Sequence, residues 1–472
     1  MSGGAVAAVD LGATSGRVIL GRVSANELSL RQLARFPNDP VRFADGLHWD
    51  LPGLYRGILA GLRIAFAEEP RLASIGIDAW AVDYGLLAGE RLLGLPFHYR
   101  DERTVAGVAA THAIVPFEEL YRRNGLQFLP FNTLYQLAAE RGAGVVDAAD
   151  AVLLVPDLIA FELSGARVAE RTNASTTGLL EVSTGEWDAG LMRRLGLRAE
   201  LFPPLVDPGE RIGALRPELV SALGAPGAVP LVAVGSHDTA SAVVGVPMAG
   251  DAAYISCGTW GLVGVELDAP VTTDAAREAN FTNEGGVDGR VRFLHNVMGL
   301  WVLSETVRQW ERADAAELDL AALLDAAAAV TAPVAVFDVD DPLFLPPGDM
   351  PARIAAWCAE HGVAAPASRA EIVRSIVESL AEAFAHAVRT ASALSGARVD
   401  AIHLVGGGSQ NALLCQATAD RSGLPVLAGP VEATAIGNVL VQARAAGFAS
   451  GDLESLRALV ARSFPPTRYA PR

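Results

Sequence analysis

The sequence predicts an α/β protein made of two domains with a similar plan. The chain has 472 residues, which is more than one small domain needs. Hydrophobic residues make up 51% of the chain and charged residues 19%, a balance typical of globular proteins with an ample core. Two parts of the chain also repeat one order of elements, a β-hairpin followed by a helix and a strand, so we expect a structural duplication.

The first copy begins at the N-terminus. The apolar run AVAAVDLG, Ala5–Gly12, ends on Asp10 and a glycine, and a second strand-like run follows the turn ATSGR at Val18–Val23. Two apolar runs around a turn of small residues predict a β-hairpin. A helix near Asp50–Glu68 and a strand at Ser74–Ala79 complete the first copy.

The second copy lies in the other half of the chain. Its hairpin is predicted from the apolar runs Ala252–Gly258 and Leu262–Glu266. A long helix opens with a capping box of Ser368 and Glu371, after which apolar residues recur every four positions along one helical face. The strand AIHLV at Ala401–Val405 completes the repeat.

A domain boundary is expected between the two copies. Pro208-Gly209 and Pro226-Gly227 lie in a loop-rich stretch before a central apolar strand. We place the boundary near Val246-Pro247, after a helix of small residues, which gives domains of residues 1–245 and 246–472.

Composition excludes several classes of protein. The net charge of −17 argues against non-specific binding to nucleic acid or to acidic membranes. The three cysteines form no disulfide framework, which suggests a reducing compartment. Neither a secretory signal nor an apolar stretch of membrane-spanning length is apparent. We therefore expect a cytoplasmic protein that binds neither nucleic acid nor membrane.

The two predicted hairpins carry candidate phosphate-binding turns. In DLGATSGR, Asp10 could hold Mg²⁺ through water, and the backbone N–H groups of residues 12–16 could approach phosphate oxygens. In SCGTWG, Thr259 lies in a turn flanked by glycines. Together the turns could clamp a triphosphate; the alternatives are an ordinary hairpin with a surface Asp and a structural turn.

Three further stretches have polar or small residues after apolar runs. Gly406–Gly408 could let a planar ligand or a phosphate approach the backbone before a helix that Asn411 opens, or could form only a tight turn. In IDAWAVD, Asp78 and Asp83 could line a site for a polyhydroxylated ligand, or could be exposed on a hairpin. Asn296 is either a further polar contact or a helix cap.

The stretch VGSHDTASAV presents Asp238 at the end of an apolar run. Phosphoryl transfer to an alcohol needs a carboxylate that accepts the hydroxyl proton, and Asp238 could be that base. Alternatively Asp238 or Ser236 caps the following helix. A hydrolase triad with His237 is discounted, because adjacent His and Asp side chains should point apart and no G-x-S-x-G elbow is present.

Ten motifs that follow one another along the chain resemble the FGGY carbohydrate kinases. They are AVDLGATSGRV, SIGIDAWAVDYGLL, GLPFHYRDERT, GLQFLPFNTLYQL, VGSHDTASAV, YISCGTWGLVG, NEGG, NVMGLW, HLVGGGSQN and AGPVEATAIGN. The resemblance runs from about Ala5 to about Arg444. It implies two ribonuclease-H-like domains of the actin/hexokinase type with a ligand cleft between them. Within the family it implies the branch that phosphorylates L-rhamnulose at its 1-hydroxyl with ATP and Mg²⁺.

The resemblance also implies roles for individual residues. Asp238 matches the catalytic base. The positions that match sugar contacts are Ala81, His237, Asp238, Thr239 and Asn296. The positions that match ATP contacts are Ala13, Thr14, Ser15, Gly16, Arg17, Thr259, Ser304 and Gly407.

Two positions depart from the family pattern. Ala81 stands where glycine is expected, and Ser304 stands where a longer Gln contacts the nucleotide. The alternatives are a kinase for L-fuculose, L-ribulose or D-xylulose, and a non-catalytic nucleotide-dependent switch with the same fold. The expected partners are a small sugar and ATP, in a monomer or a homodimer.

Overall fold

The computed structural model describes residues 3–472. The chain forms two compact units. The first unit contains the residues up to Pro247, together with Glu266–Phe293 and Ala433–Ser463. The second contains Met248–Val265, Leu294–Glu432 and Phe464–Arg472.

The strands of the described residues are β1 (Gly4–Leu11), β2 (Ser15–Val23), β3 (Leu28–Pro37), β4 (Pro40–Phe43), β5 (Gly46–Trp49), β6 (Ile75–Ala79), β7 (Tyr84–Ala88), β8 (Arg91–Leu92), β9 (Ala151–Leu154), β10 (Ala169–Glu170), β11 (Leu180–Glu181), β12 (Glu186–Trp187), β13 (Leu205–Val206), β14 (Arg211–Ala214), β15 (Pro230–Val232), β16 (Ala252–Cys257), β17 (Trp260–Leu267), β18 (Thr282–Gly285), β19 (Val291–Met298), β20 (Ala401–Val405), β21 (Val426–Ala428) and β22 (Thr467–Tyr469).

The α-helices are α1 (Leu51–Glu68), α2 (Thr104–Ile114), α3 (Phe117–Asn124), α4 (Thr133–Gly142), α5 (Val145–Ala148), α6 (Val155–Ser164), α7 (Arg171–Ala174), α8 (Ala189–Arg194), α9 (Pro217–Leu223), α10 (Asp238–Val244), α11 (Asp274–Glu278), α12 (Trp301–Asp314), α13 (Leu320–Ala328), α14 (Met350–Glu360), α15 (Arg369–Ser395), α16 (Ala412–Ser422), α17 (Ala433–Ala445) and α18 (Leu453–Ser463).

The first unit is built on a six-stranded sheet in the order β14-β15-β6-β1-β2-β3. β1 pairs antiparallel with β2, and parallel with β6 on its other side. The predicted helix before β6 is α1. Asp50 is its N-cap, and the Asp50 side chain accepts from the N–H of Gly53. Leu54, Ile58 and Leu62, one turn apart, are buried in the core of this unit and fix α1 on the sheet.

The second large sheet has the order β18-β19-β17-β16-β20-β21-β22. β16 pairs antiparallel with β17 and parallel with β20. The predicted capping box of Ser368 and Glu371 is confirmed at the start of α15. Ile376, Leu380 and Phe384 of the predicted apolar face are fully buried.

The predicted duplication is confirmed. The order β3-β2-β1-β6-β15 in one sheet matches β19-β17-β16-β20-β21 in the other. β1 is antiparallel to β2 and parallel to β6, the strand that follows α1. In the same way, β16 is antiparallel to β17 and parallel to β20, the strand that follows α15. Because parallel strands end at the same edge, the polar residues after β1 and β6 meet, and so do those after β16 and β20.

Candidate active site

The VGSHDTASAV segment joins the sheet edge where β1 and β6 end. The N–H of Ala79, the last residue of β6, donates to the carbonyl of Ser236 at 2.9 Å, and Ala79 forms a parallel bridge with His237. His237 is the N-cap of α10, and Asp238 is its first residue. This pairing brings Asp238 to the edge where Asp10 and Asp78 lie.

Two sequence expectations for this segment are wrong. Neither Ser236 nor Asp238 is the N-cap of α10; the cap is His237, which makes no side-chain capping bond. The His237 and Asp238 side chains do not point apart, since Nε2 of His237 lies 3.5 Å from Oδ1 of Asp238. A triad still lacks its nucleophile, because Ser236 Oγ donates to Glu170 at 2.7 Å.

Glu170 holds the segment from behind, and sequence reasoning missed it. Its buried carboxylate accepts from the N–H and Oγ of Ser236, at 2.9 and 2.7 Å. It also accepts from the N–H and Oγ1 of Thr172 and from the N–H of Asn173. Burial raises the pKa of Glu170 against the pull of these donors. The local signal is only an acidic residue capping α7, which gives no hint of a partner 66 residues away.

A second missed group lies beside His237 and Thr239. Arg292 of β19 is fully buried, and its Nη1 donates to Thr239 Oγ1 at 2.7 Å. Its Nη2 lies 3.1 Å from His237 Nδ1 and donates at 3.1 Å to Glu284, within the NEGG motif. Burial raises the pKa of Glu284, but Arg292 and His237 outweigh burial and hold it below its usual value.

Asp238 combines access to solvent with a perturbed pKa. Its side chain is 26% exposed, so a ligand can reach it. Burial raises its pKa above the usual value, partly offset by His237, the N–H of Thr239 and Arg292, while Glu284 adds to the rise. A base whose pKa approaches the working pH is better suited to proton transfer.

Asp10 is not the surface residue of the alternative interpretation. It is 2% exposed and lies in register with Asp78 on β6 and with Arg17 on β2. Arg17 Nη2 donates to Asp10 Oδ2 at 2.7 Å, so the residue expected at a phosphate is also the counter-ion of Asp10. Burial and the neighbouring charge of Asp10 raise the pKa of Asp78 well above its usual value. Asn438 of α17 donates to Oδ2 of Asp78 at 2.6 Å, whereas Oδ1 is buried without a partner.

The first predicted phosphate turn, Ala13–Arg17, follows β1. Ala13 and Ser15 are partly exposed and Thr14 is exposed, so the turn is open to solvent. Gly16 is buried, and a Cβ there would lie 2.2 Å from the ring of Phe36. Glycine is therefore required at position 16 for the packing of β2 against Phe36 of β3.

The IDAWAVD segment is a tight buried turn, and the alternative of two exposed carboxylates is wrong. Asp83 is fully buried and accepts from Trp49 Nε1, Trp80 Nε1 and the N–H of Tyr99 at 2.6, 3.1 and 3.1 Å. Gln136 Nε2 donates to its other oxygen at 2.8 Å. Burial raises the pKa of Asp83 to about 6 against these donors.

Ala81, the departure from glycine, is partly exposed at the start of this turn. Its carbonyl accepts from the N–H of Asp83 at 3.0 Å, around Val82 with φ 69°. A β-branched residue rarely adopts a positive φ, so this backbone is strained and needs support. Thr133 Oγ1 and Gln136 Nε2 supply it by donating to the Val82 carbonyl at 2.7 and 3.3 Å.

Thr259 lies in the turn between β16 and β17, in the second unit. The Thr259 carbonyl accepts from the N–H of Trp301 at 3.2 Å, and the Gly258 carbonyl accepts from the N–H of Leu300 at 2.9 Å. A Cβ on Gly299 would lie 2.8 Å from the Gly258 oxygen. The turn is thus held against the first residues of α12.

The three glycines after β20 differ in what they do. A Cβ on Gly406, whose φ is 80°, would lie 2.8 Å from the Cys257 carbonyl oxygen, and one on Gly408 would lie 2.4 Å from Cys257 Sγ. Both are required for packing against the end of β16. A Cβ on Gly407 would meet nothing closer than 4.0 Å. Gly407 is therefore the position with room for a ligand, and Asn411 caps α16 as expected.

Asn296 and Ser304 occupy different elements of the second unit. Asn296 lies within β19 and is partly exposed, so the alternative of a helix cap is wrong; the N-cap of α12 is Leu300. Ser304 lies on the exposed face of the first turn of α12.

The structure gathers the predicted residues in two groups. The first unit holds Asp10, Ala13, Thr14, Ser15, Gly16, Arg17, Ala81, His237, Asp238 and Thr239, and the second holds Thr259, Asn296, Ser304 and Gly407. Within residues 3–472, no group of three or more His, Cys, Asp or Glu side chains could hold a metal ion. In the same residues, no helix is long and apolar enough to cross a membrane.

Family models match nearly the whole chain. The N-terminal domain of the FGGY family of carbohydrate kinases matches residues 5–245, and its C-terminal domain matches residues 253–446. The chain belongs to this family. The carbohydrate kinase predicted from ten motifs is thereby confirmed.

Curated relatives of this FGGY kinase match over almost their full length. Rhamnulokinase from Bacteroides thetaiotaomicron is 41% identical over 469 residues, 98% of this chain and 95% of the relative. Rhamnulokinase from Pectobacterium carotovorum is 43% identical over 477 residues, 99% and 93% of the two chains.

Solved structures show the same fold at low sequence identity. Xylulose kinase from Lactobacillus acidophilus superposes with a TM-score of 0.79 at 18% identity, covering 99% of this chain and 94% of that one. Glycerol kinase from Plasmodium falciparum gives a TM-score of 0.77 at 14% identity, with the same coverage. The predicted two-domain α/β fold is confirmed.

Proposed function

We propose that this FGGY kinase transfers the γ-phosphoryl group of ATP to the 1-hydroxyl of L-rhamnulose. The observation that carries the proposal is Asp238, a partly exposed carboxylate with a raised pKa on the first turn of α10. The names of relatives that are 41% and 43% identical over almost the full length support the choice of sugar.

In this proposal Asp238 accepts the proton of the attacking hydroxyl. Phosphoryl transfer needs little covalent chemistry from the protein, so positioning and charge stabilisation dominate. Glu170 fixes Asp238 through Ser236. The positions that we assign to the sugar, besides Asp238, are Ala81, His237, Thr239 and Asn296.

The nucleotide is assigned to the remaining residues. Ala13–Arg17 and Thr259 face its phosphates, while Ser304 and Gly407 lie on the side of its adenosine. We keep residues 1–245 as the sugar domain and 246–472 as the nucleotide domain.

The carboxyl groups of Asp10 and Asp78 give the first unit oxygen atoms of the kind that a divalent cation binds. Asp10 and Asp78 face each other in register, and the buried Oδ1 of Asp78 has no partner. Because Mg²⁺ sheds its waters reluctantly, Asp10 would hold it through water. Mg²⁺ supplies neutralisation of the charge that develops on the phosphate oxygens.

We also place the reaction in the cytoplasm. ATP is the phosphoryl donor, and Cys257, Cys358 and Cys415 are free, buried thiols, which suits a reducing compartment.

The test is coupled ADP release with ATP and Mg²⁺ against L-rhamnulose, L-fuculose, L-ribulose and D-xylulose, with a sample lacking sugar. L-rhamnulose should give the highest kcat/KM, and ADP release without sugar should be negligible. A higher kcat/KM for another ketose would reassign the sugar. Equal ADP release without sugar would contradict a sugar kinase and favour a nucleotide-dependent switch.

A further inference from the structure

We infer that Arg292 and Glu284 are positioning residues for the reaction, acting through the His237 ring and the Thr239 hydroxyl on either side of Asp238. This inference rests on the proposed function of Asp238. Neither residue is needed to explain the fold, since a buried ion pair is often no more stabilising than apolar residues of similar volume. What the pair supplies is a fixed direction for each hydrogen bond beside the base.

The first consequence is the orientation of the His237 ring. Its Nδ1 lies 3.1 Å from Arg292 Nη2 and 3.3 Å from Glu284 Oε2, so both residues of the pair contact the same ring nitrogen. The other ring nitrogen, Nε2, then lies 3.1 Å from Thr239 Oγ1 and 3.5 Å from Asp238 Oδ1, beside the proposed base.

The second consequence is the position of the Thr239 hydroxyl. Its oxygen accepts from Arg292 Nη1 at 2.7 Å and lies 3.1 Å from His237 Nε2. Because a guanidinium has only donors, the hydroxyl hydrogen points away from Arg292, where His237 Nε2 or a sugar oxygen can accept it.

Glu284 fixes the guanidinium in turn. Its carboxylate accepts from Arg292 Nη2 at 3.1 Å, and the Gly285 carbonyl accepts from Nε at 2.9 Å. Arg292 has no exposed side-chain surface, so Glu284 also provides the counter-charge that its burial demands. The two residues therefore act as one unit.

The two residues also act on Asp238 with opposite charge. The charged or titratable groups facing Asp238 are His237, Arg292, Glu284 and, from β6, Asp78, with Glu170 behind Ser236. Arg292 lowers the pKa of Asp238 and Glu284 raises it. Removing the two charges one at a time should therefore move the titration of the base in opposite directions.

The experiment is the pH profile of kcat/KM for L-rhamnulose in the full-length wild type, Arg292→Met and Glu284→Gln. The acid limb should shift to higher pH in Arg292→Met and to lower pH in Glu284→Gln. Loss of positioning should lower kcat/KM at the optimum by up to about a hundredfold. Arg290→Met is the matched control, since the Arg290 ion pairs with Asp268 and Glu454 are on the surface; its profile should match the wild type.

Arg292→Lys separates charge from geometry. It keeps the positive charge but cannot donate to Thr239 and His237 as a fork, so kcat/KM should fall while the acid limb stays in place. Circular dichroism and the KM for ATP verify folding. If Arg292→Met does not fold, Glu284→Gln and Arg292→Lys decide the question.

Acid limbs that do not move, or that move in the same direction in both variants, would overturn the inference. A wild type without sugar-dependent ADP release would instead refute the proposed function, so the two failures are distinguishable.

Discussion

The central strand of each sheet ends in different chemistry. In the first unit, the penultimate residue of β1 is Asp10, which faces Arg17 on β2 and Asp78 on β6. In the second unit, the penultimate residue of β16 is Ser256, which faces Leu262 on β17 and Val405 on β20. Three ionisable side chains in one sheet thus correspond to one hydroxyl and two apolar side chains in the other.

The turns beyond these strands differ in the same way. In the first unit, the segment that carries Asp238 follows β15 and bridges to Ala79 at the end of β6, whereas in the second unit β20 continues into Gly406–Gly408. Buried carboxylates are suited to moving a proton and attracting a cation, and glycines are suited to close approach of the backbone to a ligand. In the function that we propose, one fold used twice divides acid–base chemistry, in the first unit, from adenosine binding, in the second.

The largest effect on this division is expected from Glu170→Gln. The amide nitrogen would face N–H and O–H donors, leaving buried donors unsatisfied at a cost of about 1–3 kcal/mol in the free energy of unfolding. Displacement of Asp238 should lower turnover about a hundredfold. Steady-state kinetics and thermal unfolding measure both, with exposed Glu186→Gln as the control. Wild-type turnover in Glu170→Gln would show that the carboxylate has no part in placing the base.

Glu170 also shows where sequence reasoning stops. Both hairpins, α15 and the glycine turn were predictable, because each depends on periodicity, caps or glycines within a short window. Glu170 and Arg292 were not, because their partners Ser236 and His237 are 66 and 55 residues away in the chain. The burial of Asp83 was not predictable either, since four donors from separate segments make it possible.

Next in size is the pH dependence of stability that Asp83 confers. Its pKa in the folded chain is about 6, above the usual 3.8, so the folded state binds the proton more tightly than the unfolded state. The charged carboxylate therefore lowers the free energy of unfolding by about 3 kcal/mol above pH 6. This cost disappears as the pH falls from 6 towards 3.8. In urea titrations, the free energy of unfolding of the wild type should exceed that of Asp83→Asn by more at pH 5 than at pH 7.5. A difference that does not change with pH would contradict this account.

The turn Gly406–Gly408 tests the comparison in the second unit. Gly408→Ala should lower the free energy of unfolding by about 1–3 kcal/mol, because its Cβ would lie 2.4 Å from Cys257 Sγ. Gly407→Ala should leave stability unchanged and raise the KM for ATP. Thermal unfolding and ATP titration of the two variants test this, and an equal loss of stability in both would contradict the assignment of Gly407 to the ligand.

A smaller effect is expected from the support of the strained turn at Val82. Gln136→Leu removes the amide that donates to the Val82 and Phe131 carbonyls and to Asp83. The KM for L-rhamnulose should rise about tenfold, the equivalent of one buried hydrogen bond, while the KM for ATP stays unchanged. Exposed Gln32→Leu is the control. A rise in the KM for ATP alone would break the division between the two units.

The most direct test of the account is the turnover of Asp238→Asn with L-rhamnulose, measured together with its affinity for ATP. If Asp238 takes the proton of the sugar hydroxyl, turnover falls about 10²–10⁴-fold, while the fold and the Kd for ATP stay as in the wild type. Turnover close to that of the wild type would contradict the account, since Asp238 would then be a structural residue at the start of α10.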